Sequence, residues 1–140
     1  MRAAVLILVG LLGGCGQFES NPKVCSTPAQ LDVSPAGLGR PNDWAFQREK
    51  TEQCIHRWAY RLAPSSDPAD AVARATLGAC SDMLGRTAEA WKQMSSADPN
   101  MTSYLTGERV TAEARTYEEM RMKALFYVVQ ARAGKCAAPA

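Results

Sequence analysis

His56 is the chain's single histidine, and it shares a helical stripe with two carboxylates. Glu49, Glu52 and His56 stand at i, i+3 and i+7, which puts all three on one face of an α-helix. Such a set could bind a metal with help from another helix. The di-iron bundle signature, however, is Glu-x-x-His, whereas the spacing here is Glu-x-x-x-His. An i, i+4 Glu–His pair is ordinary on a solvated helix surface, and that is the reading for this face. Nucleophilic catalysis needs a base positioned by a third group, and His56 has no G-x-S-x-G elbow to serve. H-E-x-x-H, C-x-x-C, Walker and G-x-G-x-x-G sequences are missing as well. The expectation is a chain that is not an enzyme, with no metal site and no cofactor. A small-ligand, metal or catalytic pocket near His56 is the alternative.

Arg57-Trp58-Ala59-Tyr60-Arg61 is a second cluster. Arg57 and Arg61 fall on one side at i, i+4, and Trp58 joins Leu62 in an apolar stripe. Tyr60 points elsewhere. Tyr and Arg are enriched at interface hot spots, so Arg57, Tyr60 and Arg61 are a candidate interaction patch, weighed against plain amphipathic packing. Arg121, Lys123 and Arg132 read as solvated surface. Met83, Met94, Met101, Met120 and Met122 lack an M-x-x-M cluster, which favours core filling over copper.

The five cysteines divide by setting. Cys15 ends a distinctive start: Arg2 makes a short positive region, and Ala3 to Leu12 is apolar for ten residues. That length suits a signal peptide and is too short to cross a bilayer. Leu12-Gly13-Gly14-Cys15 then resembles the lipobox of bacterial lipoproteins. The resemblance covers the first seventeen residues and no more. It implies cleavage before Cys15, a diacylglycerol on its sulfur and an acylated amine. Two or more chains anchor stably where one does not. Gly16 at the next position, by the same resemblance, permits sorting to the outer membrane, facing the periplasm.

The rest of the chain must supply the scaffold. Residues 1–14 are expected to be removed, 15–40 to form the lipidated cysteine and an irregular Pro- and Gly-containing tether, and 41–140 to form a helical domain. Asn42 or Asp43 can cap a helix over 43–63, with Thr51, Ile55, Trp58 and Leu62 on one face. Asp67 as N-cap, Pro68 at the first position and Asp70 in the first turn open a second helix over 68–96. Its stripe is Val72, Thr76, Ala79, Met83, Thr87, Ala90 and Met94, with Leu77, Leu84 and Trp91 beside it. A third helix spans 103–133, its start blurred by Gly107 and its end marked by Gly134. Its stripe is Val110, Ala114, Tyr117, Ala124, Val128 and Ala131, with Met120, Leu125 and Tyr127 alongside. No run alternates as a strand does. The architecture is all-α: a small antiparallel three-helix bundle, stapled by disulfides.

Four cysteines besides Cys15 imply two disulfides in an oxidising compartment, with three connectivities open. Hairpin geometry favours one of them. Cys54 and Cys80 lie at matched distances from the turn between the first two helices, leaving Cys25 and Cys136 to fasten the N-terminal segment to the end of the third.

The chain has 140 residues, 46% apolar and 21% charged, and a net charge of +2. This is one globular domain's worth, and the charge is too small to suggest nucleic acid. The expected role is structural or interaction-based: a helical domain held to the membrane by lipid, contacting another envelope protein.

Overall fold

The computed structural model describes Cys25, residues 27–28, 43–95, 101–134 and 136–139. The lipobox with Cys15 and most of the segment up to Asn42 lie outside the described residues.

Asp43 has extended backbone, and its carboxylate accepts from the Phe46 N–H at 3.2 Å. That cap starts α1 (Trp44–Leu62) and is one of the two the sequence offers. Pro64 follows the last turn, where the Ala63 N–H still reaches the Ala59 carbonyl. The next helix, α2 (Ala69–Ala79), starts one residue later than the sequence predicts. Pro68 occupies the cap position. The Asp67 carboxylate is occupied with the Ser65 hydroxyl at 2.5 Å, so it caps nothing.

The expected second helix is two helices, which makes four among the described residues rather than three. Cys80 leaves helical geometry at φ −110°, ψ 16°. Its N–H bonds the Leu77 carbonyl at 3.1 Å, tightening the last turn of α2. Its own carbonyl then accepts the Leu84 N–H at 3.0 Å and starts α3 (Ser81–Ser95). Gly78 lowers the cost of distortion on one side, and the disulfide holds Cys80 itself.

The last helix, α4 (Ala112–Ala133), begins nine residues after the expected 103. Thr111 caps it, accepting from the Ala114 N–H at 3.2 Å. Residues 101–110 instead fold back on themselves. Ser103 and Val110 donate backbone bonds to Glu108 and Met101, and Gly107 takes φ +72° at the turn. One isolated bridge, Thr102 to Arg109, is the β-structure among the described residues. Gly134 closes α4 in the left-handed region at φ +65°, as its position predicts.

The chain runs up, down and up. Cys54–Cys80, Thr51–Thr87 and Trp44–Trp91 place α1 antiparallel to the α2–α3 arm. Arg48–Glu119, Tyr127–Glu52 and Gln130–Tyr60 place α1 parallel to α4. The core is Ile55, Ala59, Val72, Ala73, Leu77, Met120, Ala124, Tyr127 and Val128, with Trp58, Leu62, Met83 and Leu84 packed against it. Thr51 and Thr87 are buried together at 2.8 Å. Because Thr87 also bonds the Met83 carbonyl, its one proton is committed and Thr51 is the donor.

Several stripe residues prove to be exposed. Ala79 lies on the open side of the break, and Met94, Ala114, Tyr117 and Leu125 face outward. In α4 the buried face is Ala112, Thr116, Met120, Ala124, Tyr127, Val128 and Gln130. Apolar residues on two sides of this helix had drawn the expected stripe askew.

Two disulfides complete the frame. Cys54–Cys80 has its Cα atoms 6.1 Å apart, and Cys25–Cys136 has them 5.6 Å apart, both within the normal range. Loops of 26 and 111 residues are closed. Taken singly, the chain-entropy account gives about 3.5 and about 4.8 kcal/mol. The first loop lies inside the second, so the two values do not simply add.

Candidate functional site

The α1–α4 seam concentrates the buried polar chemistry. Arg48 donates from Nε and Nη2 to Glu119 Oε1 at 2.8 and 2.6 Å. One turn further along, Glu52 takes a hydrogen bond and ion pair from Lys123 on one oxygen and accepts the Tyr127 hydroxyl at 2.7 Å on the other. His56 comes next, buried, with its ring 4.5 Å from the Tyr127 ring and 4.8 Å from that of Tyr60. Gln130 Nε2 donates to the Tyr60 hydroxyl at 2.8 Å. At the far end Arg132 donates to the carbonyl oxygens of Ala63, Ser65 and Asp67.

The face expected to be solvated is therefore turned inward against α4, and one of the expected solvated cations, Lys123, supplies a partner for it; the other two hold other parts of the bundle. Lys123 pairs Glu52, Arg121 pairs Asp70 at 2.6 Å, and Arg132 ties the α1–α2 turn. Burying a carboxylate is costly unless charge and hydrogen bonds compensate it. Here both Glu52 oxygens are engaged. Burial works to raise the Glu52 carboxyl, but the hydrogen bonds from Lys123 and Tyr127, with the charges of Lys123 and Arg48, hold it below the ordinary value. Burial lowers His56 against the partly opposing charge of Glu52, so the imidazole is neutral near pH 7. Its Nε2 is buried without a hydrogen-bond partner.

No family model, curated protein or solved structure matches this chain. The seam has to be read from its own chemistry.

Among the described residues no group of three His, Cys, Asp or Glu stands close enough to hold a metal. The third member of the stripe, Glu49, is half-buried, with one oxygen unpartnered. A groove of about 440 Å³ lies at the other end of the bundle, lined by Asp43, Trp44, Ala45, Ala90, Gln93 and Met94. Asp43 there is already committed to capping α1. The groove and His56 thus belong to different parts of α1, twelve residues apart.

The Arg57, Tyr60 and Arg61 cluster is divided. Arg57 is exposed, and the Arg61 guanidinium lies 5.4 Å from the centre of the Trp58 ring. Tyr60 is half-buried and directs its hydroxyl to Gln130. Cys25, Cys54, Cys80 and Cys136 are all in disulfides. Cys15 is outside the described residues.

Arg48, Glu119, Lys123, Tyr127 and Gln130 were not singled out as partners of this face by sequence reasoning, although Lys123 and Tyr127 had other readings. One signal does exist. Glu52 and His56 at i, i+4 on α1 are matched by Lys123 and Tyr127 at i, i+4 on α4, and two parallel helices can set such pairs side by side.

Proposed function

We propose that the protein is a lipid-anchored envelope protein that holds a disulfide-stapled helical domain at the periplasmic side of the membrane, in a structural or interaction role. The Leu12-Gly13-Gly14-Cys15 sequence, behind its ten-residue apolar stretch, carries this reading. Two further observations support it. The two disulfides are consistent with an oxidising compartment outside the cytoplasm, and no described helix is long and apolar enough to cross a membrane. Attachment by lipid is the route to the membrane that fits both. Gly16 after the cysteine permits sorting to the outer membrane on the same resemblance.

The seam chemistry fits a structural role. Glu52 and Glu119 are neutralised by helix-to-helix partners, and His56 fills the space between two tyrosine rings. The rival reading, a ligand, metal or catalytic pocket at His56, draws on the unpartnered Nε2 alone.

Replacing the lipidated residue tests the proposal. Cys15→Ser protein is expected in the soluble fraction, or retained with its leader uncut, while the parent stays in the membrane fraction. Cys15→Ser protein that is processed and still firmly membrane-bound would overturn it.

A further inference from the structure

The outward side of α4 is apolar over its last three turns. Met122, Leu125, Phe126 and Val129 are 40%, 38%, 45% and 54% exposed. They stand at i, i+3, i+4 and i+7, one continuous stripe opposite the core face. Nearer the start of α4 the same side carries Arg115 and Glu118, which are occupied by the 101–110 loop. Glu118 takes the Ser103 hydroxyl and the Tyr104 N–H, and Arg115 lies over the Tyr104 ring. That loop adds exposed Tyr104 and Leu105 to the apolar surface. Single exposed apolar residues are ordinary, but a contiguous patch marks an interaction surface.

One observation says what the stripe meets: where the chain is tied. Cys25 is bonded to Cys136, two residues beyond the Gly134 cap, so the N-terminal segment is fixed at the stripe's own end of α4. Ten residues separate Cys25 from Cys15. Such a link spans at most about 35 Å. A lipid on Cys15 therefore keeps this end of α4 beside the bilayer at high local concentration.

We propose that Met122, Leu125, Phe126 and Val129 seat the domain on the bilayer surface, with the apolar side chains at the headgroup–acyl boundary. The proposal rests on the lipid-anchor reading and goes beyond it, because an anchored domain could equally hang free on its tether.

The test uses the mature lipidated protein in vesicles of phosphatidylethanolamine and phosphatidylglycerol, with Phe126 replaced by the photocrosslinker benzoylphenylalanine. Val129 replaced in the same way is the second site, and exposed Arg86 on α3 is the control position. Lipid adducts at positions 126 and 129, several-fold above those at 86, are the expected result. Equal adducts at all three positions would overturn the proposal, as would crosslinks from 126 to a second copy of the chain. Intact mass before irradiation separates the two claims. A chain without lipid on Cys15 defeats the anchor reading itself, whereas a lipidated chain without enrichment at 126 and 129 defeats only the seating of α4.

Discussion

The Tyr127 hydroxyl donates to Glu52 Oε1 at 2.7 Å across 75 residues of sequence, joining the middle of α1 to the C-terminal half of α4. With Lys123 on the other oxygen, it makes burial of that carboxylate tolerable. Tyr127→Phe keeps the ring against His56 and removes only the donor. A hydrogen bond to a charged group contributes about 1.5–3 kcal/mol, so urea unfolding of Tyr127→Phe should show a loss of that size. A loss below the error of the extrapolation would mean that Lys123 alone satisfies Glu52.

The same seam sets the acid response. Burial holds His56 below its ordinary value of 6.5, so in acid the unfolded chain takes up this proton first. The stability it contributes is full above that value and declines as pH falls through it toward the folded pKa. Glu52, held below 4.5, contributes stability present above that value and lost at more acid pH. Stability should therefore begin to fall already between about pH 7 and 5, and His56→Gln should flatten that limb while leaving the more acid one. An NMR titration midpoint for His56 at or above 6.5 would contradict this.

The register of the α1–α2 hairpin rests on Cys54–Cys80. Peptides digested without reduction should emerge with the Cys54 and Cys80 segments joined, and the Cys25 and Cys136 segments joined separately. Replacing Cys54 and Cys80 together by Ala should lower stability by about 3–4 kcal/mol and leave the helical circular dichroism intact. Recovery of Cys25 linked to Cys54 would put the N-terminal segment where the structure has α2.

Two substitutions on α4 separate its faces. Met120 is wholly buried, and Met120→Ala should cost about 2–5 kcal/mol. Phe126 is 45% exposed, with its ring edge-on to that of Tyr127, and Phe126→Ser should cost about 1 kcal/mol, well below Met120→Ala. Comparable losses for both would mean that the outer stripe is packed against something in the free protein.

Local chemistry was legible where it alone decides the structure. Asp43, Pro64 and Gly134 bound α1 and α4 through capping and chain-breaking rules, and matched distances from the turn place Cys54 opposite Cys80. The break at Cys80 was hidden because one residue leaving helical geometry barely disturbs a 3.6-residue period. The late start of α4 depends on Glu118, which holds Ser103 and Tyr104 from fifteen and fourteen residues away. The burial of the polar face of α1 is hidden in the sequence for a related reason. Glu52 and His56 look solvated until Lys123 and Tyr127, 71 and 75 residues from Glu52, are known to face them. The site was thus legible in its residues but not in its burial.

The most direct test of the lipid-anchor account is mass spectrometry of the N-terminal peptide from the membrane-extracted protein. The account predicts a chain starting at Cys15, heavier than the bare peptide by a diacylglyceryl group and one amide-linked acyl chain, and no peptide from residues 1–14. A chain starting elsewhere, or an unmodified Cys15 in the membrane fraction, would contradict it.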